Sequence, residues 1–272
     1  MKEMKEPAKA RFKFKRKHKF NLILGLFFLG TILLASPTAR FWLRSLLEYP
    51  VHYTEYKNFD IRIPGDYEVH GIDVSRWQRK IDWKRVKNMQ VGAVNFDFTF
   101  IKATEGTWMV DPHFKSNWEN SRKNGLIRGA YHFFIPHLNA EHQAKHFIRT
   151  VKLKSGDLPP VIDIEETFGM SAAQIRKGTK QFMDLLEAHY KIKPILYTNR
   201  AFYKKYFAEE PEFKPYILWI AHYHVDELTL PDASTWHFWQ HSDRGRVNGI
   251  QEKVDFNVFS GDSARLRSIC LP

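Results

Sequence analysis

Pro159-Pro160-Val161-Ile162-Asp163-Ile164-Glu165-Glu166 is a short apolar run ending in acids, and a long amphipathic stretch, Ser171–Tyr190, follows it. A buried strand of this length can be paired only with close neighbours. The amphipathic stretch has the period of a helix laid over such a strand. Ser171 and Gln174 have the spacing of a capping box, which fixes where that helix begins. Working outward toward the N-terminus, the same pairing recurs. Val69–Ser75 reads as a strand and Asp82–Met89 as a helix with Asp82 at its N-cap. Phe98–Ala103 is followed by Asp111–Asn124, closed at Gly125, and Gly129–Phe134 by Asn139–Val151. Toward the C-terminus, Pro194–Thr198 precedes a shorter helix, Ala201–Phe207. Three strand-like runs without helices then close the pattern: Tyr216–Ala221, Trp236–His241 and Val254–Phe259. Five strand–helix pairs followed by three strands predict an α/β fold, an incomplete TIM-like barrel. A doubly wound sheet is the alternative, but no glycine-rich phosphate loop follows the first strand.

In a β/α barrel, chemistry collects where the strands end. The polar residues at those positions are Asp73, Glu105, Tyr131, His132, Asp163, Glu165, Tyr197, Asn199, Trp219, His222, Trp239, Gln240 and Asp255. Acids, aromatics and amides suit a carbohydrate better than a polyphosphate. Asp163 and Glu165 are two apart on a strand, so they share a face, with Cα atoms roughly 6.6 Å apart. Two carboxylates in one desolvated site resist simultaneous ionisation, so one keeps a proton near neutral pH. Glycosidic hydrolysis needs that pairing of a proton donor with a negative charge. The backbone spacing does not separate retention from inversion.

The chain has 272 residues, 43% hydrophobic and 26% charged, which is enough to bury a core and excludes a disordered protein. Cys270 is the single cysteine, which excludes a disulfide-stapled or cysteine-rich zinc domain. The net charge of +12 is uneven: residues 1–19 carry nine Lys/Arg against two Glu, whereas residues 68–272 carry 29 basic and 24 acidic groups. A basic arm, rather than a basic domain, argues against a nucleic-acid partner.

The arm runs into Phe20–Ala35, sixteen residues without a charge. As a helix this is about 24 Å long, slightly short of a ~30 Å hydrocarbon core. We therefore expect a basic cytoplasmic arm (1–19), a signal anchor or cleaved signal peptide (20–36), a juxtamembrane stalk packing partly on the domain (37–67), and a catalytic domain (68–272). The corresponding location is a single-pass protein of the bacterial inner or cytoplasmic membrane, its catalytic domain on the periplasmic or extracellular side, with the bilayer as partner through residues 20–36.

Several separated segments together resemble the glycoside hydrolase family 25 lysozymes, the Chalaropsis-type muramidases. They are Gly71-Ile72-Asp73-Val74-Ser75-Arg76-Trp77-Gln78 with Ile81-Asp82-Trp83; Phe100–Gly106; Arg128–Phe133; Val161–Glu165; Tyr197-Thr198-Asn199; Trp219–Tyr223; Trp239–Ser242; and Gly249-Ile250 with Val254–Asn257. The resemblance spans about residues 69–260 and implies a flattened barrel of five β/α units and three further strands. It also implies cleavage of the β-1,4 bond between N-acetylmuramic acid and N-acetylglucosamine in peptidoglycan. By position, Glu165 would be the acid/base, and Asp163 would orient and polarise the substrate acetamido group in a substrate-assisted, retaining route. Asp73 and Asp255 would be the other groove carboxylates, with Tyr131 near the cleaved sugar. Arg79 stands where the family commonly has glycine, and Gly92–Asp97 is slightly extended.

The expected site is therefore Glu165, Asp163 and Asp73 as catalytic groups, with Asp255, Tyr131, Tyr197, Trp219, Trp239, Asn199 and Glu105 binding substrate. No metal, no cofactor and a monomeric catalytic domain are expected. Trp77, Trp108, Trp219, Trp236 and Trp239 all have a core-packing reading; the strand-end pair Trp219 and Trp239 are the expected sugar-stacking faces, and Trp83 a core residue. Lys102 and Glu105 suit an ion pair as well as a substrate contact. His142 and His146 lack the glutamate of a metalloprotease helix and read as surface residues. His222, His224 and His241 are candidates for the groove wall. Two rival functions remain: a catalytically inactive peptidoglycan-binding barrel, and a metal-dependent peptidoglycan deacetylase, which needs an Asp/His/His ligand set.

Overall fold

The computed structural model describes residues 53–272. A hairpin, β1 (Tyr53–Tyr56) and β2 (Ile61–Pro64), leads into β3 (Val69–Val74), α1 (Trp83–Lys87), β4 (Phe96–Glu105), the short β5 (Met109–Val110) and α2 (Phe114–Lys123). Then come β6 (Ile127–Phe133), α3 (Ala140–Thr150), β7 (Val161–Asp163), α4 (Ala172–Tyr190), β8 (Ile195–Asn199) and α5 (Arg200–Tyr206). The chain ends with β9 (Ile217–Ala221), β10 (Phe238–Gly245), β11 (Val254–Phe259) and α6 (Ser263–Ser268). Side chains set the helix starts: Asp82, Asn139, Ser171, Asn199 and Asp262 each accept a backbone N–H of the first turn.

The barrel was expected to be incomplete, and it is closed. Eight strands run in the order β3-β4-β6-β7-β8-β9-β10-β11, and β11 returns to pair with β3, so every one of them has two neighbours. The closing contact joins residues far apart in the chain, Asp255 opposite Asp73 and Phe259 opposite Val69, which no local period reveals. β3, β4 and β6 through β10 run parallel. β11 is antiparallel to both of its neighbours, so its start lies at the same mouth as the ends of the others.

Strand alternation divides the core in two. Inside the barrel, Val69, Phe98, Phe100, Val161, Ile195, Trp219 and Phe238 form one cluster. Phe100 stacks on Trp219 at 4.2 Å between ring centres. These rings fit because Gly71 and Gly129 face them: a Cβ at either position would stand 2.5 Å from Phe98 or Phe100. Outside, Ile72, Val74, Ile101, Ala130, Ile162, Leu196 and Phe256 pack under the helices, with Trp83 among them.

The N-terminal hairpin belongs to this outer layer. Phe59, at its turn, is fully buried against Phe96 and Phe256, and Tyr67 packs edge-on against Trp236 and Trp239. Residues 53–67, expected in a stalk, are thus part of the packed unit.

The basic arm, the apolar segment 20–36 and the start of the stalk lie outside the described residues. Among the described residues, no helix is long and apolar enough to cross a membrane. The expected signal anchor, its bilayer contact and the single-pass membrane location thus find no support in a described helix.

Candidate active site

Four carboxylates converge at the mouth. Asp73 comes from β3, Asp163 ends β7, Glu165 lies just beyond it, and Asp255 sits at the start of β11. Asp73 and Asp163 are buried; Glu165 and Asp255 are half-buried. Beyond Asp163 the chain stays tied to the neighbouring strands. Phe134 donates its N–H to the Asp163 carbonyl, and Ile164 donates to the Tyr197 carbonyl. Those two bonds turn the chain and keep Glu165 over the cleft.

An amide network fixes the acids. Gln240 Nε2 and Asn257 Nδ2 both donate to Asp73 Oδ2, at 2.7 and 2.8 Å. The Gln240 Oε1 accepts from Tyr197 at 2.8 Å and from Tyr223 at 2.6 Å, and the Tyr197 hydroxyl also reaches Glu165 Oε2 at 3.4 Å. Trp219 Nε1 donates to Asn257 Oδ1 at 2.7 Å. Asp73 is thus connected to Glu165 through Gln240 and Tyr197.

Burial raises the proton affinity of all four acids. Desolvation, with the charge of Asp73 adding to it, pushes Glu165 up to about 7. Desolvation and then the Glu165 charge push Asp163 well above the carboxylate range, against the pull of Lys102. Asp73 is pushed up to about 6 by burial, moderated by the amides of Asn257 and Gln240, and Asp255 rises by burial and the Asp73 charge. Asp163 and Glu165 influence each other in this balance, as do Asp73 and Asp255. Two full charges within either pair are therefore disfavoured. One oxygen of the first pair, Asp163 Oδ1, is buried with no hydrogen-bond partner.

The other expected residues divide. Tyr131 is buried among the acids, whose charges together with desolvation raise its hydroxyl well above the usual tyrosine value. Tyr197 is in the network described. Trp219 and Trp239 are only 2% and 0% exposed, so neither offers a sugar a face. Trp219 props up Asn257 instead. Trp239 points out of the barrel, donating its indole N–H to the His222 carbonyl. Asn199 caps α5 by accepting from Phe202, and Glu105 is engaged with Lys102 at 2.8 Å. His146, expected at the surface, is buried and donates to the Met109 carbonyl, while His241 is turned outward and buried beneath the barrel wall.

Three functional side chains were absent from the expected site. Gln240 was already among the polar strand-end residues but without an assigned role, and Asn257 was visible in principle, two residues from inward-facing Asp255. Tyr223 is in a loop, where no period applies. Among the described residues, no group of three or more His, Cys, Asp or Glu is arranged to hold a metal ion.

The chain matches the model of the glycosyl hydrolases family 25 over residues 72–250. It is 43% identical over 256 residues to an uncharacterized protein of Escherichia coli O6:H1, YegX, covering 92% of this chain and 93% of that one. Lysozyme M1 of Streptomyces globisporus is 36% identical over 219 residues, 74% of this chain and 71% of that protein. The crystal structure of a bacterial lysozyme from Streptomyces coelicolor superposes with a TM-score of 0.69 at 34% identity, covering 75% of this chain and 98% of that chain. A closed barrel with four acids at its mouth, matched along most of its length by these relatives, makes the chain a glycoside hydrolase belonging to family 25.

Proposed function

We propose that this peptidoglycan hydrolase cuts the β-1,4 bond between N-acetylmuramic acid and N-acetylglucosamine with Glu165 as acid/base and Asp163 as the partner of the substrate acetamido group. The observation that carries the assignment is the pair itself: two carboxyls both raised by burial, Asp163 further by the Glu165 charge and Glu165 further by the Asp73 charge, with Asp163 Oδ1 unpartnered. An acetamido N–H brought to that oxygen takes the place of the shared proton on Asp163. The proton is left on Glu165, where the glycosidic oxygen needs it.

Glu165 then donates that proton to the departing oxygen as the bond from the anomeric carbon breaks. The acetamido carbonyl oxygen forms the new bond to that carbon. The resulting oxazolinium carries a positive charge, which anionic Asp163 stabilises through the N–H. Water attacks the anomeric carbon from the vacated side, Glu165 takes its proton, and the ring opens back to the acetamide. Two inversions leave the configuration retained. Asp73, anchored by Gln240 and Asn257, sets the electrostatic background that keeps Glu165 protonated.

A silent binding barrel would have no need to keep four desolvated acids together. The clustered donors at the mouth are acids and amides rather than the Asp/His/His set of a deacetylase. Release of new reducing ends from purified wall material tests the assignment. We expect the wild type to release them, and Glu165→Gln and Asp163→Asn to lower turnover by roughly 10²–10⁴ while remaining folded. A folded E165Q protein with near-normal turnover would overturn it.

A further inference from the structure

Two of the most solvent-exposed large apolar side chains, Trp77 and Trp108, are 69% and 79% exposed, and Phe168 is 40% exposed. All three lie in loops that leave the catalytic mouth. Trp77 follows β3, which carries Asp73. Trp108 tips the β4–β5 turn beyond Glu105, and Phe168 comes three residues after Glu165. Isolated exposed apolar residues need no explanation. Three aromatic rings on the rim of one cleft do.

None of the three is loosely held. Trp77 sits in a 3-10 turn, Arg76–Gln78, closed by a capping box with Ser75. That turn is fastened at both ends. Gln78 Nε2 donates to the Lys253 carbonyl at 2.8 Å, and the Arg76 N–H donates to buried Asp111 at 2.7 Å. The Arg76 guanidinium covers one face of the Trp77 ring at 5.2 Å and leaves the other to solvent. Asp111 lies just past β5, so the same carboxylate ties the Trp77 turn to the strand pair that presents Trp108. Phe168 has φ +47°, a left-handed conformation unusual for a bulky side chain, and its ring packs on His137 from the β6 loop at 5.4 Å. Backbone strain spent on exposing an aromatic ring points to a ligand rather than to packing.

β3, β4, β6 and β7 are consecutive in the barrel, so these loops form one continuous side of the rim. The buried tryptophans Trp219 and Trp239 cannot stack on a sugar, which leaves that role to rings outside the barrel. We infer that Trp77, Trp108 and Phe168 are platforms for sugars lying beyond the cleaved pair, so that the enzyme grips an extended glycan strand along its β3–β4–β6–β7 side. The apolar faces of pyranose rings fit flat aromatic surfaces, and continuity with the acid cleft favours a polymer already engaged there over any other occupant. The inference rests on the proposed cleavage site but adds a length preference that the acids alone do not create.

The test compares long, uncrosslinked glycan strands with a tetrasaccharide-sized fragment of the same polymer, using W77A, W108A, the double variant and F168A. The substituted side chains are exposed at the rim, and an unchanged unfolding midpoint verifies each variant. We expect the double variant to raise KM for long strands about five- to tenfold with little change in kcat, while kinetics on the short fragment stay within twofold. Tryptophan-to-phenylalanine variants should retain most of the length preference. Equal losses on both substrates, no loss on either, or a change in oligomeric state in place of a KM effect would each overturn the platforms. Wild-type failure on both substrates would sink the cleavage site and the platforms together, a result distinguishable from the others.

Discussion

Replacing Glu165 by Gln is expected to stabilise the fold in alkaline solution while lowering turnover by roughly 10²–10⁴. The Glu165 carboxyl is pushed up to about 7 from an ordinary 4.5, first by desolvation and then by the Asp73 charge. A group whose folded pKa is raised favours the folded state fully below its unfolded value, and that contribution is lost as pH rises through the folded value. At pH 5 the wild type still has most of it. At pH 8 Glu165 must ionise inside the cleft, which costs up to about 3 kcal/mol at 1.36 kcal/mol per pH unit. Glu165 is only half-buried and shares its proton with Asp163, so screening and the partner reduce the net penalty to about 1–2 kcal/mol. Glutamine keeps the shape and has no charge to bury.

The assay is thermal unfolding of wild type and E165Q at pH 5 and pH 8, in the same buffer and salt. Other titrating groups are common to both proteins and largely cancel in the difference. The variant should gain about 2–8 °C over wild type at pH 8, and clearly less at pH 5. A pH-independent difference, or a larger gain at pH 5, would refute a Glu165 that holds its proton through burial.

Tyr197→Phe removes the hydroxyl that bridges Gln240 and Glu165; because that bond lowers the Glu165 pKa, the alkaline limb of the pH–rate profile should move to higher pH. An unchanged limb would detach Tyr197 from the acid. Gly129→Ala forces a methyl to 2.5 Å from the Phe100 ring and should cost about 1–3 kcal/mol in urea unfolding with the m-value preserved. His70 and His241 are buried neutral under the N-terminal hairpin, burial lowering them to about 4 and about 3. The unfolded chain takes up those protons first, so the contribution of these two neutral rings is complete above pH 6.5 and is lost as pH falls toward 4. H241F should flatten that decline in a pH series of unfolding midpoints, and an unchanged slope would count against it.

The strand–helix alternation was legible because each parallel strand is short, apolar and followed by a capped amphipathic helix. Ser171 and Asp82 begin their helices where the sequence placed them. Barrel closure was not legible, since it depends on β11 meeting β3 across the length of the domain. The hairpin at 53–64 escaped notice because its strands are short and its turn is anchored by Phe59 packing onto Phe96 and Phe256, again distant contacts. In the site, Asp163 and Glu165 stood out by their period-two spacing, and Asp73 and Asp255 by their places at strand ends. The roles of the tryptophans were not: a strand-end tryptophan in a narrow barrel faces either the crowded interior or the packed outer wall. Trp77 and Trp108, just past the strands, are the ones that reach solvent.

The most direct test of the central claim is the identity and configuration of the sugar released first from chemically defined peptidoglycan, read by mass analysis and proton NMR during the earliest turnovers. N-acetylmuramic acid is expected at the new reducing end, initially as the β-anomer, with release by E165Q slower by roughly 10²–10⁴. N-acetylglucosamine at that end, the α-anomer first, or severed stem peptides with intact glycan would contradict it.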